Sequence, residues 1–183
     1  MATLEAESDS SSVTRSFRFD SQMLRVLEEE ADSMGISINA LVNIILRRFS
    51  EFNRYLAKVD MIVINRETLT SLIESMNETQ LSAVGKKLGS SIMPDTIIFW
   101  KKELSQGAVR EYVEKAICRY GQLGTYDEMV SHNVRTVVIR HRLGKKGSVF
   151  LESYLKSGIQ HLLGITPAFE STDSSIKYEM VAA

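Results

Sequence analysis

The sequence predicts an α+β chain: a short strand and two helices at the front, then a mixed helical and antiparallel-sheet domain ending β-β-α-β-β. Three observations carry this. Apolar and polar residues alternate with a period of two across VTRSFRF, residues 13–19. Helical spacing then runs on both sides of Gly35, and after Gly121 and Gly124 extended alternation returns around one further helix.

In the first segment Phe17 and Phe19 alternate with Ser16 and Arg18, as a half-buried strand requires, and the strand ends at Asp20-Ser21. From Ser21 the stripe Met23, Leu24, Leu27, Ala31 and Met34 marks a helix, with Gly35 suited to its C-terminal turn. Ser37 suits the N-cap of a second helix, whose apolar positions are Ile38, Leu41, Val42, Ile44, Ile45, Phe49 and Phe52. That surface is too wide for one partner helix.

Tyr55 to Asp60 reads as a junction, and MIVIN, Met61–Asn65, as a buried strand. Leu69, Leu72, Ile73 and Met76 mark a helix; Asn77 with Gln80 offers a capping box for the next, carried by Leu81, Val84 and Leu88. Pro94 is expected to open a further helix through Phe99 and Trp100, followed by one around residues 107–120. TYDEMVSH and VRTVVIRHRL form a hairpin turning near Asn133, residues 148–163 return to helix, and ITPAFE and SSIKYEMV close as short strands. The expected domains are an acidic, serine-rich disordered tail at 1–12, a small module at 13–58 and an α/β sensor or oligomerisation domain at 61–181.

Hydrophobic residues at 44% and charged residues at 25% fit a globular protein and exclude a collagen-like or wholly disordered chain. The formal net charge of −1 means that any nucleic-acid contact must be local. The single cysteine, Cys118, excludes an internal disulfide and reads as a small buried hydrophobe. MATLEAESDSSS lacks the basic start and apolar core of a signal peptide, and no apolar run approaches the ~20 residues that cross a bilayer, so the expectation is a cytoplasmic protein with no membrane partner.

Strand, helix, glycine turn and helix within residues 13–54 resemble the ribbon-helix-helix family of repressors and antitoxins, of which Arc and MetJ are members. The matching residues are Ser16-Phe17-Arg18-Phe19 for the ribbon, Met23, Leu24, Leu27 and Ala31 for the first helix, and Gly35-Ile36-Ser37-Ile38-Asn39 for the turn. The likeness covers roughly a quarter of the chain and rests on pattern and length. Independently, so few residues cannot bury that apolar surface alone, so a homodimer or higher homo-oligomer is expected, with two ribbons paired across a two-fold axis.

The resemblance implies double-stranded DNA as partner. With Phe17 and Phe19 inward, alternation sends Thr14, Ser16 and Arg18 outward, where the family reads bases and where Arg18 can offer a two-pronged donor to guanine O6 and N7. The start of the second helix suits a phosphate, which makes Ser37, Ile38 through its N–H, and Asn39 the backbone-contact candidates. Arg15 has inward parity where the family often places an apolar residue; at a frayed ribbon end it reaches a phosphate. Residues 13–54 hold six Arg or Lys against six Asp or Glu, which predicts weak nonspecific affinity. A ribbon that dimerises without binding DNA is the plainer alternative.

In the C-terminal domain RHRLGKKGS, residues 140–148, makes a candidate anion site of Arg142, Lys145, Lys146 and Ser148, the last as helix cap, for an anionic or other small-molecule effector. It does not match GxxxxGK[ST], and a solvated basic turn is the simpler account. His132, His141 and His161 lack close metal-ligand spacing, so no metal is expected. Trp100, Tyr112, Tyr120 and Tyr154 mark either a pocket or ordinary core. No nucleophile and base can be paired, so neither catalysis nor a cofactor is expected. The leading expectation is a sequence-specific transcriptional regulator. The runner-up is an antitoxin that autoregulates its operon and binds a toxin protein; the family's antitoxins usually carry a short disordered tail, whereas 61–181 has the periodicity to fold.

Overall fold

The computed structural model describes residues 13–182, so the acidic tail expected at 1–12 lies outside the described residues. Residues 13–20 are exposed and carry no strand, because a lone strand has no ladder partner within one chain. Helix α1 spans Ser21–Met34. Asp20 caps it by accepting from the Gln22 and Met23 N–H groups at 3.0 and 2.8 Å, and Gly35, at φ 64°, closes it in the left-handed region. Helix α2, Ile38–Arg48, begins as expected at Ser37, whose Oγ accepts from the Ala40 N–H at 3.2 Å.

The chain divides into two compact units between Arg47 and Arg48. The boundary expected from the sequence lies at 58–61. The intervening residues include Phe52, which is buried in the core of the second unit with Leu56 packed against it.

The second unit opens with π-helical residues Phe49–Asn53, the short helix α3 (Arg54–Leu56) and a 3₁₀ turn, Ala57–Val59. Met61–Asn65, expected as a buried strand, is not one: no strand pairs with it, and Ile62 and Val63 are 82% and 94% exposed. An apolar run alone does not supply a ladder partner. Helix α4, Arg66–Glu74, is capped by Asn65. The Asn77/Gln80 capping box is present, with reciprocal bonds of 2.9 and 3.0 Å, and starts α5.

Helix α5 is one 24-residue helix, Glu78–Lys101, with Pro94 buried inside it and not at the start of a new one. Proline removes one backbone bond. Burial of Met93, Pro94 and Ile97 offsets that loss. Then come α6 (Gln106–Glu111) and a π-helical stretch, Tyr112–Tyr120, over the region expected as a single α-helix.

The expected β-β-α-β-β order closes the chain: β1 (Gly124–Ser131), β2 (Val134–His141), α7 (Gly144–Leu163), β3 (Ala168–Ser171) and β4 (Ser175–Val181). The sheet is antiparallel throughout in the order β1-β2-β4-β3. His132 and Asn133, at φ 47° and 62°, make the left-handed two-residue turn that matches strand twist in a hairpin. Val137 and Ile139 of β2 and Tyr178 and Met180 of β4 point inward, where Leu155 and Ile159 of α7 complete the core, and Ile176 of β4 is buried in a second cluster with Leu143 and Leu151. Helices α5 and α7 meet nearly backbone to backbone: a Cβ on Gly89 would lie 2.1 Å from the Tyr154 carbonyl oxygen, and one on Gly85 2.7 Å from that of Phe150.

Candidate nucleic-acid interface

In the first unit, Phe17 and Phe19 line one apolar cavity of about 190 Å³ with Met23 and Leu27 of α1 and Val42, Ile45 and Leu46 of α2. Both rings therefore turn toward the helices, although Phe17 remains 65% exposed. Thr14, Ser16 and Arg18, the candidate base readers, are all exposed at the alternate positions. Arg15 is exposed too.

Among the described residues of this unit only Ala31 and Leu41 are buried apolar side chains, while Val26, Ile44, Ile45 and Leu46 are 45–60% exposed. Exposed apolar side chains in this number are what a contact with another surface would cover. At the start of α2, Ser37 is occupied as cap, Ile38 is half-buried and Asn39 is exposed, in a first turn with no acidic residue, an arrangement that suits a phosphate oxygen.

The expected anion set at 140–148 is not brought together. Helix α7 begins at Gly144, earlier than expected, so the basic residues form its first turn. Lys145 pairs with Glu78 at 3.1 Å, and Lys146 pairs with Glu74 at 3.6 Å and donates to its carbonyl oxygen at 2.7 Å. Ser148 is no cap: it lies one turn inside α7, buried, donating to the Thr172 carbonyl oxygen. Arg142 is exposed in a separate depression with Arg66 and Arg140, and Arg140 is paired with Asp127.

Ser148 has a single proton and gives it to Thr172, so it accepts from His141 Nε2 at 3.0 Å. His141 Nδ1 in turn accepts from the Leu143 N–H at 3.3 Å. The imidazole is thereby held neutral, and burial pushes its pKa below the ordinary value. His132, His141 and His161 do not converge, and among the described residues no group of His, Cys, Asp or Glu could hold a metal ion. Burial also pushes the Cys118 thiol up to about 12, with the Glu114 charge adding to the effect, as suits an inert core residue. Among the described residues no helix is long and apolar enough to cross a membrane.

The aromatic group is split. Trp100 and Tyr112 line an apolar cavity of about 270 Å³, while Tyr120 stacks on Phe52 at 5.3 Å and Tyr154 shares a 2.6 Å hydroxyl bond with Tyr112. The cavity also takes Tyr55, Leu56 and Met61 as wall residues. Sequence reasoning read those positions as junction and strand; the clustering of Phe52, Tyr55, Leu56 and Val59 at helical spacing was the available signal. No family model matches the chain, and no curated protein matches it.

Proposed function

We propose that the chain is a sequence-specific DNA-binding transcriptional regulator, acting in the cytoplasm as a homodimer that reads the major groove with a two-stranded β-ribbon. The supporting observation is the division of residues 14–19 into two faces. Phe17 and Phe19 turn into the cavity over α1 and α2, leaving Thr14, Ser16 and Arg18 on the exposed alternate positions. Pairing with a second copy gives the extended segment its ladder and covers apolar surface that the unit leaves open. The paired ribbon presents Arg18 twice, related by the two-fold axis, to base edges, while the α2 termini at Ser37, Ile38 and Asn39 hold phosphates on either side. The antitoxin reading draws no support from the second unit, whose packed core and sheet differ from a short wrapping tail.

Selection of bound duplexes from a randomised pool by the intact chain tests the proposal. Enrichment of an inverted or direct repeat is expected. Recovery of no sequence preference over random DNA at moderate salt would contradict it.

A further inference from the structure

We infer that the 270 Å³ cavity of the second unit is a binding site for a small amphipathic monoanion, an apolar aromatic or aliphatic body carrying one carboxylate or sulfonate. The site stands apart from the DNA-binding reading and holds or fails without it. Its walls combine Phe52 and Tyr55 with Phe99, Trp100 and Tyr112. Thr96 is the principal polar intruder, since the Tyr112 hydroxyl is committed to Tyr154. An aromatic-lined space of this size readily takes an apolar molecule larger than benzene, which fits a cavity of about 150 Å³. Ile92 and Met61 also line it yet are 51% and 44% exposed, so the cavity is open to solvent on that side.

Charge selects the head. No acidic residue lines the cavity, whereas three of its wall rings carry cations: Arg54 lies 4.6 Å from the Tyr55 ring centre, Lys101 4.4 Å from Trp100 and Lys102 4.9 Å from Phe99. Lys101 is neutralised by Glu111. Among the described residues Arg54 and Lys102 have no carboxylate within ion-pair distance, and both are exposed. The two lysines also offset the negative end of α5, and Arg54 that of the short helix α3. Tyr55 and Phe99 meet edge to face at 5.9 Å, so Arg54 and Lys102 lie at the same end of the cavity, and an anionic head group there meets positive charge while its body displaces water from apolar walls.

Trp100 is the chain's only tryptophan and lies in the cavity wall, which makes it a built-in reporter. Two fluorescent probes that differ by one sulfonate serve as ligands for the intact protein: 1-anilinonaphthalene-8-sulfonate and neutral N-phenyl-1-naphthylamine. Emission excited through Trp100 should saturate at one probe per chain, and decanoate should displace both probes. Thr96→Phe should weaken both probes about tenfold or more by filling the cavity. Arg54→Ala with Lys102→Ala should weaken the sulfonate probe about fivefold and leave the neutral one within about twofold. Circular dichroism checks that each variant is folded, and the exposed positions of Arg54 and Lys102 keep the test available if Thr96→Phe does not fold. Failure of decanoate to compete, unchanged binding to folded Thr96→Phe, or equal losses for both probes in the Arg54/Lys102 double variant would overturn the inference. Selection of DNA by the same samples reports separately on the ribbon.

Discussion

At the scale of single residues, His141 gives the fold a defined acid sensitivity. Its neutral form is held from both sides, by the Leu143 N–H on Nδ1 and by Ser148 on Nε2. Protonation would set a proton on Nδ1 against that N–H. The folded pKa lies below the ordinary 6.5, so the unfolded chain takes up the proton first and stability falls as pH drops below 6.5 toward the folded value. Denaturant unfolding across that window should show a slope that His141→Gln flattens; an identical slope in the variant would show that the imidazole contributes nothing. The pair was hidden in the sequence because His141 and Ser148 flank a turn that reads as basic and solvated. Nothing in local periodicity says that β4's connecting residue Thr172 folds over Ser148.

At the scale of elements, the α5–α7 contact depends on glycine. Gly89 leaves no space for a methyl group against the Tyr154 carbonyl, and on α7 a Cβ at Gly158 would lie 2.2 Å from Met93 Sδ. Gly89→Ala should therefore cost about 1–3 kcal/mol or more by forcing the helices apart, despite alanine's better helix propensity. Thermal unfolding measures it, and a stabilised variant would mean that the helices do not approach so closely. Elements with local chemistry were legible: the Asn77/Gln80 box, the Ser37 cap, the Gly35 closure and the turn at Asn133 all depend on neighbours in sequence. Pro94 and Met61–Asn65 were misread for the opposite reason. Whether a proline is tolerated in a helix, or an apolar run finds a strand partner, is decided by residues far along the chain.

At the scale of the whole molecule, the first unit leaves open an apolar face that its own residues do not cover, and the second unit carries its own core. The account expects the intact chain to be dimeric at micromolar concentration in sedimentation, with Phe17→Ala losing about 3–5 kcal/mol of dimer stability through the missing ring. A monomeric wild-type chain, or an unaffected variant, would remove the ribbon pairing. The α+β class and the closing β-β-α-β-β order could be read from pattern alone. The apolar cavity was only half visible, as Trp100 and Tyr112, since its other wall comes from the stretch taken as a junction.

The central claim, that a paired ribbon reads bases through Arg18, is tested most directly by the ratio of specific to random-DNA affinity at fixed salt for wild type and Arg18→Ala. The account predicts that the ratio falls by about 1–3 kcal/mol per good base contact while thermal stability is kept, because the outward side chain addresses guanine and contributes nothing to the core. An undiminished ratio in Arg18→Ala would contradict it.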